Sequence, residues 1–369
     1  MFLPAGRKAV AGKGHRLYGW HVTDDARDDL PTLCAWLGGV DDHPLRWFFR
    51  SRRPEPSLAE VVHAWWQDPH LVTMDETLSI LDSAGPLGLS TKRRDFRAAR
   101  GTGQPAMERF APLRNELVVA SLLAEQGVPF RFNTKAGPDL LIGDGISPVC
   151  AIEVGSCNPE SLTELWRAVT DALQERGMSR SVDITTDPVP PVAISAEVRE
   201  SVVRQFAPLD GGPGVTGLRF EASPGRPQDG IPATWVNIRI GDGRQRTMSP
   251  YLSPHMSVLA HRVARDVLRE KRKVRQSLIV PTVLIVDVSH SDQPDIRYWD
   301  KTFASFWKET DQFLALGAMV ASSVSRRTPD MRFSVNPFAD KAALNSACEY
   351  LQEVPSMGDL VTQAAVVAR

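Results

Sequence analysis

Residues 114–132 read RNELVVASLLAEQGVPFRF, and residues 137–156 read GPDLLIGDGISPVCAIEVGS. The first segment carries apolar side chains at helical spacing and stops at Gly127, a residue that commonly ends helices. A helix is expected from Pro112 to about Glu125. Phe130–Phe132, Asp139–Ile142 and Val149–Val154 read as three short strands, the last two joined by the turn-rich GDGISP. The order of elements from Pro112 onward is mixed α/β.

Three carboxylates stand out in this stretch. Asp139 and Glu153 are equidistant from Ile146, so a hairpin centred there sets them opposite each other. Directly opposed residues share a face, with Cβ atoms roughly 5 Å apart, and like charges so placed call for a cation between them. Asp139 and Glu153 are therefore the expected ligands of a divalent metal, Mg²⁺ or Mn²⁺, with the Val154 carbonyl as a third oxygen. Glu116 has Pro112, Leu113, Val119 and Ala120 as its helical neighbours, an apolar stripe in which a carboxylate needs a partner. Either it pairs with Arg114 or Arg131 at the stripe's edge, or it supports the metal site.

Around this centre the chain divides in two. Residues 1–105 form an N-terminal helical region, with Leu30, Leu33, Trp36 and Leu37 and then Leu58, Val61, Val62, Trp65 and Trp66 at helical spacing. Trp36, Trp47, Trp65 and Trp66 are expected core anchors. The run KRRDFRAARGTGQP (92–105) reads as a basic linker or arm. Residues 106–369 form the second unit, with a proline- and glycine-rich insertion around 187–250. Ser161–Arg176 and Ala196–Gln205 read as helices, Gly217–Glu221 and Trp235–Ile240 as strands. Thr282–Val288 is an apolar run suited to a strand buried on both faces. Phe303–Leu316 reads as helix, Gly317–Ser323 as strand and Ala342–Gln352 as helix.

The 369 residues are 42% hydrophobic, enough for a sizeable core. A formal charge of −1 provides no global field for nucleic acid, so such binding must rest on local basic clusters. One is HRVARDVLREKRKVRQ (261–276), with seven Lys/Arg against two acids. Four scattered cysteines offer neither a disulfide framework nor a zinc site and read as reduced thiols of a cytoplasmic protein. No apolar run reaches the roughly 18 residues of a membrane span. Neither a phosphate-binding G-x-x-x-x-G-K-[ST] loop nor a G-x-S-x-G elbow occurs.

In Glu116–Ser156 the chain resembles the PD-(D/E)xK superfamily of restriction-endonuclease-like nucleases. The resemblance lies in the order helix-Glu, Pro-Asp before an apolar strand, then apolar-Glu at Glu153. Lys273 and Gln276, a K-x-x-Q pairing ahead of the buried strand, look similar to members of the same group. The resemblance implies a restriction-endonuclease-like core, an α/β mixed sheet flanked by helices with the site at one sheet edge, and a metal-dependent nuclease, with DNA as substrate and restriction, anti-phage defence or repair as setting. It makes Glu116, Asp139 and Glu153 the acidic residues. Where active members carry lysine two residues after the motif acid, this chain has Gly155. Lys135, Lys271 or Lys273 could take over from that lysine, Ser156 or a second metal could replace it in part, or the domain could be a catalytically inactive scaffold that still grips nucleic acid. Arg269, Lys271, Arg272, Lys273, Arg275 and Gln276 are the expected phosphate contacts. Partner proteins or a second copy of the chain could complete the system. A small-molecule phosphoester enzyme on the same metal site is a third alternative.

Overall fold

A computed structural model describes residues 30–40, 42–45, 58–101, 104–156, 161–178, 180–187, 194–206, 216–223, 233–241, 277–288, 296, 299–307, 313–320 and 328–368. The fold is mixed α/β, a mixed six-stranded sheet flanked by helices, with a smaller second sheet. Among the described residues no helix is long and apolar enough to cross a membrane.

The N-terminal helices are α1 (Pro31–Leu37), α2 (Leu58–Ala84) and α3 (Leu89–Ala98). Proline opens α1, where its missing N–H costs nothing, and Gly38 closes it at φ 56°. Leu71, Met74, Leu78 and Leu81 form the buried stripe of α2 at helical spacing. Trp36 is fully buried and its indole N–H donates to Asp82 at 3.0 Å. Trp47 and the side chains of Trp65 and Trp66 lie outside the described residues.

The run expected to be a basic linker is helical through Ala98. Phe96 supplies the reason, since it is fully buried against Trp36, His43 and Phe110. The next helix, α4 (Gln104–Glu125), starts before Pro112 and carries that proline inside it. The expected start at Pro112 is thus corrected by one long helix, whose preceding turn is anchored by buried Phe110 and Ala111.

After α4 come β1 (Phe130–Phe132), β2 (Leu140–Ile142) and β3 (Cys150–Ser156), an antiparallel meander. Leu140 pairs with Ile152 and Ile142 with Cys150, the register that a hairpin centred on Ile146 requires. The chain then leaves the sheet through α5 (Ser161–Gln174), β4 (Ser181–Asp187), α6 (Ala196–Gln205), β5 (Thr216–Ser223) and β6 (Thr234–Gly241). These strands form the second sheet, ordered β4-β6-β5, and bury Leu165, Val169, Val182, Val236 and Ile238 in a core of their own. The expected insertion therefore begins earlier than 187, since β4 belongs to it.

The chain returns at β7 (Thr282–Asp287), parallel to β3, then α7 (Trp299–Phe306), β8 (Ala315–Val320), β9 (Asp330–Val335), α8 (Lys341–Leu351) and α9 (Gly358–Ala368). The order across the large sheet is β1-β2-β3-β7-β8-β9. Every residue of β7 is buried, as a continuous apolar strand covered on both faces must be. The helix expected over Phe303–Leu316 ends at Phe306, and Ala315 and Leu316 belong to β8.

Ile152, Val154, Val283 and Ile285 pack with Leu117, Val119 and Ala120 of α4 and Leu344 and Leu360 of α8 and α9 in one cluster. Alternation along the strands sends Glu153, Gly155 and Leu284 to the opposite face.

The outer edge of β9 is closed by α9. Phe333 N–H donates to Asp359 at 3.0 Å, Val335 N–H to the Gln363 amide oxygen at 3.3 Å, and the Gln363 amide donates to the Phe333 carbonyl at 2.6 Å. Two side chains thus stand in for a missing strand and deny the edge to other chains. Gln363→Leu is expected to cost about 1–3 kcal/mol, because it leaves buried backbone groups unsatisfied. Urea denaturation checks the loss, and light scattering should show added self-association. An unchanged midpoint would show that the edge does not need α9.

Candidate functional site

Asp139 lies one residue before β2, at the point where β2 stops covering β3. Beyond Ile152 the backbone of β3 has no β2 partner, and the Val154 N–H donates instead to the Asp139 carboxylate at 2.8 Å. In an extended strand the N–H and C=O of one residue point to the same side, so the Val154 carbonyl faces this gap too. The Asp139 backbone is also fixed, its carbonyl accepting from Asn133 N–H at 2.9 Å.

The β1–β2 loop that leads to Asp139 is tightly built. The Asn133 side chain accepts from Lys135 N–H at 3.1 Å and donates to the Pro138 carbonyl at 2.9 Å. Gly137 has φ 151°, and a Cβ there would come within 2.6 Å of the Asn133 amide nitrogen. The loop accepts only glycine at that point without moving.

Glu116 reaches the same place from α4. Its partner is neither Arg114 nor Arg131 but Lys92 of α3, whose ammonium forms an ion pair with the Glu116 carboxylate. Arg131 is engaged elsewhere, donating to the Gly145 and Ile146 carbonyls. The paired Lys92 and Glu116 side chains are only 12% and 13% exposed. Asp139 lies within hydrogen-bonding reach of Glu116. Burial first, then the charge of Asp139, push the Glu116 carboxyl from 4.5 up to about 7, against the opposing pull of Lys92.

Lys92 owes its place to Gly88. That residue begins α3 at φ 86°, and a Cβ on it would lie 2.8 Å from the Phe132 carbonyl oxygen. Phe132 N–H donates to the Leu87 carbonyl at 2.9 Å, which ties the start of α3 to β1. One turn later Lys92 stands over the Phe132 ring, 5.7 Å from its centroid.

Lys92, Glu116, Lys135 and Asp139 line one cavity of about 660 Å³, together with Thr91 and Asp95. Glu153 does not line it. Glu153 is neighbour to Asp139 in the hairpin register but is buried, 1% exposed, on the sheet face away from α4. Among the described residues, no three His, Cys, Asp or Glu side chains form a group that could hold a metal alone. Arg269, Lys271, Arg272, Lys273, Arg275 and Gln276 lie outside the described residues. Sequence reasoning missed Lys92 as a member of the site. The signal available was Leu89 and Phe96 at helical spacing around it.

A second polar group lies one residue along α4. The Asn115 side chain, fully buried, donates to Asp287 at 2.8 Å and to Ser156 at 3.2 Å. It thereby ties α4 to the paired ends of β3 and β7. Arg114 adds a longer contact to Asp287 at 3.4 Å. Ser156 is thus part of the anchor of the helix that carries Glu116.

No family model, curated protein or solved structure compared with the chain matches it.

Two expectations follow. The Glu116 carboxyl binds its proton more tightly in the folded than in the unfolded chain, so its contribution is fully present below about pH 4.5 and is lost as pH rises through about 7. Relative to Glu116→Gln, the wild type should lose up to about 3 kcal/mol of stability across that window. Parallel stability curves of the two proteins, measured by urea denaturation at several pH values, would refute this. Asn115→Leu removes the 2.8 Å donor to buried Asp287 and should cost about 2–3 kcal/mol, measured in the same way.

Proposed function

We propose that the chain is a divalent-metal-dependent nuclease that hydrolyses phosphodiester bonds, with DNA as its substrate. The observation that carries this is the convergence of Glu116 and Asp139 with Lys92 and Lys135 around one cavity. Neighbouring carboxylates attract a cation, and ammonium groups beside them suit the oxygens of a phosphate. The finer description of the fold, a restriction-endonuclease-like core, belongs to the same proposal. The order helix, three-strand meander, then a strand parallel to the third supports it.

The residues fit a magnesium or manganese ion of the kind that takes one or two carboxylates and completes its shell with water and substrate phosphate. Glu116 and Asp139 would hold it, with the Val154 carbonyl on the same side. When bound, such an ion neutralises charge on the phosphate and lowers the pKa of a water. The chain's own groups do the rest. The Val154 N–H fixes the Asp139 carboxylate in direction. Glu116, held ionised beside a bound cation, would accept a hydrogen bond from a water in the cavity and orient it. Lys92 and Lys135 would bring positive charge to the cavity where the phosphate gathers negative charge in the transition state. Glu153 lies in β3 next to Ile152, the last β3 residue paired with β2. Lys271 and Lys273, in the basic segment 261–276, are proposed to contact flanking phosphates.

Gly155 favours a second reading, a catalytically inactive nuclease-like subunit that binds nucleic acid within a larger system. Plasmid cleavage with Mg²⁺ or Mn²⁺ decides between them. On the first reading, Asp139→Ala and Glu116→Gln each reduce cutting by roughly 10²-fold or more, the scale of losing one preorganised charged group. Cutting that survives Asp139→Ala undiminished sinks the site assignment. DNA binding by gel shift with no cutting by the wild type supports the second reading.

A further inference from the structure

The ion pair between Lys92 and Glu116 poses a problem for any cation that would use Glu116. The ammonium occupies the carboxylate oxygen from inside a cavity where both side chains are almost covered. A divalent ion between Glu116 and Asp139 would lie a few ångströms from that ammonium, and like charges at such range in a half-dry site repel strongly. One of the two cations must yield.

Lys92 is the one built to move. Its backbone is held, because Gly88 sits against the Phe132 carbonyl and Leu87 is hydrogen-bonded to Phe132. Its side chain is a flexible four-carbon stem with a single point charge. The Phe132 ring, 5.7 Å away, already provides a second favourable neighbour for the ammonium. Lys135 and Asp95 are the other charged groups lining the cavity, so an ammonium leaving Glu116 stays within reach of a phosphate placed there.

We propose that Lys92 is a displaceable counter-ion. It compensates Glu116 and Asp139 while the site awaits a metal, gives way when a divalent cation enters, and is then free to hold substrate phosphate. The proposal rests on the reading of Glu116 and Asp139 as the metal site. Its consequence is coupling. Linkage is reciprocal, so a phosphate that captures Lys92 tightens metal binding, and metal binding tightens phosphate binding.

The test is Mn²⁺ binding to the full chain, followed by calorimetry and by electron paramagnetic resonance, with and without inorganic phosphate. Wild type is compared with Lys92→Gln, with charge-retaining Lys92→Arg and with Asp139→Asn. Removing the ammonium should tighten Mn²⁺ binding about tenfold, inside the roughly 5–150-fold span of ordinary site coupling, while Lys92→Arg stays close to wild type. Phosphate should tighten Mn²⁺ binding more in the wild type than in Lys92→Gln, because only the wild type has an ammonium to release. Equal or weaker Mn²⁺ binding by a folded Lys92→Gln overturns the proposal and leaves the metal site standing. An equal phosphate effect in both proteins also overturns it. Mn²⁺ binding that is absent throughout, or untouched by Asp139→Asn, overturns the metal site and the proposal together.

Discussion

Two carboxylates in one small cavity are the constraint around which the centre of this protein is arranged. Glu116 and Asp139 come from elements that share no local sequence, and Glu116 is drawn away from bulk water. Such a pair is tolerated only with a proton or a cation between or beside the two groups. The structure provides both remedies. Glu116 holds its proton up to about pH 7, and Lys92 brings an ammonium to the same oxygen pair. A site that can be compensated in either of these ways can stay folded with no metal bound, yet keeps carboxylates that a stronger cation can claim.

The large sheet makes this arrangement possible by ending one strand early. Because β2 starts only at Leu140, Val154 of β3 has no partner in β2, and the Asp139 side chain takes over as its hydrogen-bond partner on that side. A functional carboxylate is thereby oriented by a backbone group that needed a partner anyway. Asn115 performs the matching task for Glu116. It holds α4 to the ends of β3 and β7, so the rotation of the helix about its axis is fixed one residue from the carboxylate. The third approach, α3, depends on the absence of a side chain at Gly88. Helix, hairpin and N-terminal helices thus meet through fixed hydrogen bonds and one close backbone approach, which set where the charged side chains lie.

Much of this was legible before any coordinates. The hairpin could be placed because Asp139 and Glu153 are equidistant from Ile146 inside the turn-rich GDGISP, and β7 because TVLIVD has no polar interruption between Thr282 and Asp287. Lys92 was hidden for a physical reason. It is 24 positions from Glu116 in a run so charged that it resembles a linker, and the contacts that make it a helix are all distant in sequence. Pro112 misled in the opposite sense, since proline at a helix start is far commoner than proline inside one. ALGAMV in β8 consists of small apolar residues that fit helical and strand periods alike, so the helix before it appeared too long. Strands β4 and β9, SVDITTD and DMRFSV, are bounded by or rich in aspartate and serine, which strands usually avoid.

Gly155 takes on a different weight in this light. Side chains at 153 and 155 leave β3 on the face away from α4, whereas Glu116 descends from α4 itself and Lys92 from α3 beside it. A lysine at 155 would therefore begin its course on the sheet face opposite the helix that carries Glu116. Compensation of Glu116 needs a cation from the helical side, and Lys92 is anchored there by Gly88 and Phe132. Lys92 therefore reaches Glu116 from a direction that a lysine at 155 would not take. The positive charge beside Glu116 is carried by the N-terminal helices. The competence of the site then depends on α3 staying docked to β1, which makes the helical region part of the site rather than an appendage to it.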